Sequence, residues 1–96
     1  MLQSIFKYPL GRPSPDRKLI LLPIGAKVLS AGIQQDRNYQ NIYIWCLVNP
    51  MKLMETENRV FCVVGTGWDI VASSVEYIGR VTEGVFEWHV MEVHSE

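Results

Sequence analysis

Ninety-six residues, 48% hydrophobic and 20% charged, describe one globular domain and exclude the polar composition of a disordered chain. A formal net charge of −1 leaves no basic excess to attract nucleic acid, and no apolar run reaches the roughly 18 residues that a membrane-spanning helix requires. The opening MLQSIFKYPLGRPSPDRK lacks the apolar centre of a signal peptide, so the expected location is the cytoplasm, with no membrane partner.

In chain order, SIFKYPL (4–10) is the first apolar run. GRPSPDR (11–17) reads as a loop, because two prolines and a glycine deny it a hydrogen-bonded ladder. KLILLP (18–23) is a strand closed by Pro23, and AKVLSAGIQ (26–34) follows a turn at Ile24-Gly25. QDRNYQ (35–40) is a polar hairpin connection. NIYIWCLV (41–48), β-branched and aromatic, is the strongest strand signal. Asn49-Pro50 opens a ten-residue connection (49–58) with room for one helical turn, and RVFCVV (59–64) is the next strand. GTGWDIVASSVE (65–76) is a corner followed by an irregular stretch. YIGRV (77–81), the turn TEG (82–84) and VFEWHVMEV (85–93) close the chain as a hairpin. Lys7, Arg12, Arg17 and Lys18 at one terminus, and Glu83, Glu87, Glu92 and Glu96 at the other, read as ordinary surface charge.

Six to seven short strands without helical periodicity indicate an all-β domain over residues 1–96, with at most one short helical turn. The expected form is a small antiparallel sheet that curls into a barrel-like shape or a sandwich. Strands 41–48 and 59–64 are apolar on both faces, so each face needs a cover: the rest of the sheet, or a second copy in a homodimer. Pairing these two strands as a hairpin around residues 53–54 would set Cys46 nearly opposite Cys62. Opposed Cβ atoms lie about 4.5–5.5 Å apart, wider than a disulfide prefers, and a reducing cytosol disfavours the bridge. On the last strand Phe86, Trp88 and Val90 form the inward face, and Glu87 and His89 look toward water.

Signals for chemistry are sparse. Gly65-Thr66-Gly67 lacks the third glycine and following helix of a dinucleotide fingerprint and the Lys-Ser/Thr of a phosphate loop, so it reads as a sharp corner. His89 and His94 are five residues apart and face opposite sides of a strand, and no cysteine–histidine spacing suggests zinc. No catalytic residue, metal ligand or cofactor is assigned. The aromatic side chains are numerous, and those left exposed would be anchors for a partner, Trp68 and Tyr39 first.

The order KYPL, LPIGAKVLSAGIQ, WCLVNP, VVGTGWDI and YIGRV…VFEWHV resembles a family of small proteins encoded mostly by bacteriophages and prophages, with no assigned activity. The likeness covers nearly the whole chain and implies origin rather than mechanism. Trp68 stands where that family commonly has histidine, Asn49 where it has aspartate, and QQDRNYQN lengthens the loop between two strands.

The resulting expectation is a non-enzymatic protein that binds a host or phage protein, as a modulator or inhibitor of host or defence functions. Thr66, Trp68 and Asp69 at the glycine corner, with Arg37 and Tyr39 on the long loop, are the interaction candidates. One alternative is a nucleotide- or cyclic-nucleotide-sequestering protein that meets phosphate at Gly65–Gly67, with charge from Arg59 or Arg80. Another is a virion or assembly accessory whose edge strands pair with copies of itself.

Overall fold

A computed structural model describes residues 1–95; Glu96, the last of the acidic C-terminal residues, lies outside the described residues. Seven strands follow in order: β1 (Ser4–Gly11), β2 (Ser14–Pro23), β3 (Lys27–Asp36), β4 (Tyr39–Val48), β5 (Thr56–Gly65), β6 (Ser74–Glu83) and β7 (Phe86–Ser95). A single 3-10 turn, Pro50–Lys52, lies between β4 and β5, with the Asn49 side chain accepting from the Met51 amide at 3.0 Å. The fold class is the expected one, all-β with one helical turn. Among the described residues no helix is long and apolar enough to cross a membrane.

The strands form two antiparallel sheets, β1-β4-β3 and β2-β5-β7-β6. Their inner faces interlock into one core, with Ile42, Ile44 and Cys46 of β4 clustered with Phe61 and Val63 of β5 and Val90 of β7. The molecule is only 18 Å thin along its short axis, as two layers about 10 Å apart require. Along one side β3 lies against β6, where Ala31 is close to Gly79.

Three expectations need correction. Strands β4 and β5 are not a hairpin: β4 pairs with β1 and β3, while β5 pairs with β2 and β7. The 3-10 turn carries the chain from one sheet to the other. Cys46 therefore lies between the sheets, and Cys62 on the outer face of the second sheet; both are buried thiols. Residues 11–17 are not all loop, because β2 resumes at Ser14 with a register shift before Lys18. Its position at the sheet edge tolerates Pro15, whose missing N–H costs no ladder bond there. The 35–40 connection is short rather than long. Asp36 pairs with Tyr39, and the chain reverses over Arg37-Asn38 with Arg37 at φ 58, a conformation that suits the strand twist and is unusual for arginine.

The inner faces of β4 and β5 cover each other, the outer face of β5 is covered from within the chain, and the outer face of β4 stays partly exposed at Trp45 and Leu47. Segment 66–73 wraps the outer face of the second sheet, where Ile70 and Ala72 pack on Cys62, Val64, Met91 and Val93. Two main-chain anchors hold it: the Ser73 amide donates to Ser95 O at 2.9 Å, and Arg17 donates to Val71 O at 2.5 Å. On the opposite outer face Tyr43 donates to Asp36 at 2.8 Å beneath the Lys7 ammonium, which sits 4.7 Å from the ring centre. Trp45 lies across Gly32, where an added Cβ would sit 3.1 Å from its ring and the ring would have to give way slightly.

Candidate functional site

Antiparallel pairing brings four connections to one end of the sandwich: Gly11–Ser14, the Arg37-Asn38 turn, the Gly65–Trp68 corner and the Gly84-Val85 turn. Gly67 at φ 90 and Gly84 at φ 59 occupy the left-handed region that glycine enters without strain. Gly65 is needed for space instead. A Cβ there would sit 2.9 Å from the Trp68 ring nitrogen and 3.2 Å from the Trp88 ring. The corner is thus a turn shaped to seat tryptophan, closed by the Trp68 amide donating to Gly65 O at 3.1 Å.

Trp68 meets Trp88 edge to face, with ring centres 5.8 Å apart and planes at 69°. Phe86 stacks on Trp88 at 5.5 Å and 13°. Around these rings is a cleft of about 280 Å³, completed by Gly65, Thr66, Val85 and Glu87. Trp68 is 44% exposed, Phe86 58% and Val85 92%. Phe86 was expected to face inward with Trp88 and Val90; only the latter two join the core, because Phe86 begins the strand, at the rim. Trp88 is fixed by its indole N–H, which donates to Glu83 at 2.9 Å. Glu83 also accepts from Arg12 at 2.7 Å, and Arg12 reaches the Gln40 carbonyl at 2.9 Å. Arg12 first, then the indole, hold the Glu83 carboxyl below its ordinary pKa.

Thr66 turns to the outer face. Its hydroxyl lies 2.7 Å from His89 Nε2, and His89 Nδ1 lies 2.6 Å from the Tyr77 hydroxyl. Neutral imidazole offers one donor and one acceptor, so one hydroxyl donates to the ring and the other accepts from it. Hydroxyl, imidazole and third group follow the order of a nucleophile, its base and an orienting residue. A phenol stands where such sites usually carry a carboxylate, so the formal charge that steadies an imidazolium is missing. The chain of bonds ties the corner to β6 and β7. His89 was expected to face water beside Glu87; it is half-buried in this chain, while Glu87 accepts from Thr82 at 3.1 Å and pairs with Arg80 at 3.2 Å.

Of the five candidates, Thr66 and Trp68 line the cleft. Asp69 is exposed and borders a separate depression with Pro15, Asp16, Arg17 and Val71. Arg37 and Tyr39 are exposed on the neighbouring hairpin at the same end and do not line the cleft. Sequence reasoning missed Phe86, Val85 and Glu87 as cleft residues, and Arg12, Glu83, His89 and Tyr77 as its supports. Arg12 and His89 find their partners at 12 to 71 residues' distance, so no local pattern marks them.

At the other end Arg59 engages Glu92 through two bonds, Nε to Oε2 at 2.5 Å and Nη2 to Oε1 at 2.8 Å, and donates to Ala26 O at 2.7 Å. Arg59 lies six residues before Gly65 along β5, about 20 Å away, and is held by Glu92, so it cannot add charge to a phosphate at the glycine corner. Glu76, Glu92 and His94 place ligand atoms within 4.8 Å of one another. Arg59 already occupies both Glu92 oxygens and supplies the positive charge that a metal ion would bring.

A family model described as Domain of unknown function (DUF7352) matches residues 1–96. No curated protein and no solved structure matches the chain.

Proposed function

We propose, for a chain that belongs to the DUF7352 family, that it acts as a non-enzymatic binding module which grips another protein through the aromatic end of the sandwich. The partner class suggested by the sequence resemblance is a host or phage protein. The observation that carries the reading is the cleft between Trp68, Phe86 and Trp88, supported by bonds that link the β1–β2 connection to strands β4, β6 and β7 while its rim stays exposed. Tryptophan is enriched at interface hot spots, and a surface fixed before binding spares the entropy of ordering it.

Nucleotide sequestration finds less support. Two carboxylates, Glu83 and Glu87, stand at the corner where phosphate would approach, Arg80 is paired with one of them, and the Trp68 amide is spent on the turn.

Peptides selected from a random library on the immobilised protein test the proposal. The selected peptides should bind the wild type and lose at least about 10-fold in affinity against Trp68→Ala or Phe86→Ala, the scale of an interface hot spot. Leu19→Ala, a change at a 65% exposed leucine on the outer face of the second sheet, should leave binding unchanged. Peptides that ignore both aromatic changes would overturn it.

A further inference from the structure

The net charge of −1 conceals a segregation of charge between the two sheets. The sheet β1-β4-β3 and the turn between β3 and β4 carry Lys7, Lys27 and Arg37 against a single acidic residue, Asp36, so nine of the ten acidic residues belong to other parts of the chain. Register sets Lys7 beside Trp45 and Lys27 beside Leu47, on the outer face of this sheet, because Ile44 and Cys46 fill the inner one. Arg37 is exposed at the turn that leads into β4. The three cations therefore follow β4 from Leu47 to Tyr39, roughly 27 Å of strand. Asp36 accepts from the Tyr43 hydroxyl at 2.8 Å, and among the described residues Lys27 and Arg37 make no ion pair. Lys7 gives one of its three donors to Gln34 at 2.6 Å and keeps two.

Aromatic rings stand among these charges. The far edge of the half-buried Trp45 indole leans over Gly32 on β3. Tyr39, 58% exposed, belongs to the same face six residues earlier on the strand. From these features we infer that the outer face of β1-β4-β3 binds single-stranded nucleic acid, with Lys7, Lys27 and Arg37 on the phosphates and bases stacked on Trp45 and Tyr39. The charges select a polyanion, and the rings select one with flat faces. Every base has such a face, whereas an acidic peptide segment offers carboxylates and no stacking surface. A duplex keeps its bases stacked on one another, while an exposed sheet with aromatic side chains holds two or three bases that have been splayed out. A strand of this length matches the small end of the about 4–16 nucleotides that one small β domain covers. Trp68 and Phe86 are not part of this surface, so binding here does not depend on the cleft.

Fluorescence anisotropy of a short labelled oligothymidylate at low salt tests the inference. The wild type should bind it, with log K falling against log salt at a slope of about −2, as three neutralised phosphates of a single strand give. Lys7→Gln, Lys27→Gln and Arg37→Gln should each weaken binding and flatten the slope by about 0.7. Trp45→Ala and Tyr39→Ala should each cost at least about 5-fold, the lower end of base–aromatic stacking. Tyr39 is exposed beside the turn, so its variant reports stacking even where the Trp45 change unfolds the sheet. Arg80→Gln removes the same charge from the outer face of the other sheet, where the side chain is 66% exposed, and should leave binding unchanged. No binding at low salt, an equal loss in Arg80→Gln and Lys27→Gln, or removal of both rings without effect would overturn the inference. A duplex bound as tightly as the single strand would overturn it too. So would polyglutamate that competes as strongly as unlabelled oligothymidylate, which would assign the face to an acidic protein segment.

Discussion

Each end of the sandwich carries an arginine–glutamate pair, and the two pairs do different work. Arg59 and Glu92 have side chains 17% and 6% exposed, meet through two bonds, and tie the turn before β3 through Ala26. Arg12 and Glu83 are 46% and 21% exposed, meet through one contact, and reach outward to Gln40 and Trp88. Desolvation separates them. A buried pair must remain complete, because a lone buried charge has no water to fall back on. An exposed pair contributes little to stability, so its consequence lies in the groups it positions. One end is a lock and the other a mounted surface, although the residue types are the same.

The largest effect should come from breaking the lock. Glu92→Ala leaves the mostly buried Arg59 with only the longer 3.8 Å contact to the more exposed Glu57 as a counter-charge and should cost about 3 kcal/mol in urea unfolding. Replacing both partners by apolar residues, Arg59→Met with Glu92→Leu, should recover most of it. A cost under about 1 kcal/mol would make this pair no different from an exposed one and erase the contrast. Cys46 offers a second readout, because it senses both charges. Burial first pushes its thiol up to about 11, Arg59 pulls it down, and Glu92 pushes it up. The wild type should leave both cysteines unlabelled by a thiol reagent at pH 8, and Glu92→Ala should open Cys46 to labelling. Because the folded pKa is raised above 9.0, Cys46 contributes stability that is present below that value and lost as pH rises toward about 11.

The mounted surface has its own weak point at Gly65, whose backbone conformation is ordinary but whose missing side chain makes room for two indoles. Gly65→Ala should cost about 1–3 kcal/mol as an overpacking change, and it should alter the tryptophan signal in near-UV circular dichroism. Combined with Trp68→Ala, much of that cost should disappear, since the first ring met by the added Cβ is gone. Additive costs in the double variant would mean that Gly65 serves the backbone rather than the rings.

Much of the fold is legible in the sequence, because alternation and turn residues are local. All seven strands lie where apolar runs stand between glycine, proline and asparagine signals. Pairing is not local. NIYIWCLV and RVFCVV are each apolar on both faces, which identifies an interior strand but not which sheet it belongs to. Nothing in WDIVASS announces that Ile70 and Ala72 cover the outer face of β5 and β7, since a single layer of cover has no repeating period. The exposure of Trp68 was legible because a large ring after Gly-Thr-Gly must leave the strand. Phe86 looked like a core residue by alternation, which does not reveal where the facing sheet stops. His89 was placed toward water by the same rule, and its two hydroxyl partners come from a corner and a strand that only the tertiary structure brings beside it.

The smallest stability effect should come from the exposed pair, and it is the sharpest test of the contrast. Arg12→Ala should lower stability by less than about 1 kcal/mol. Glu83 gives the mechanism a pH signature. Its carboxyl is held below the ordinary value by Arg12 first and the Trp88 indole second. A depressed carboxyl stabilises the fold above its unfolded pKa, and that contribution is lost as pH falls through the lowered folded value. The stability gap between wild type and Glu83→Gln should therefore be open at pH 7 and close on acidification, and Arg12→Ala should narrow it at pH 7. Through the same carboxylate, Arg12→Ala should move the Trp88 indole N–H resonance, though the guanidinium touches Glu83 and not the ring. A gap that ignores both acid and Arg12 would leave the pair without influence on the cleft, and the two ends would then differ in burial alone.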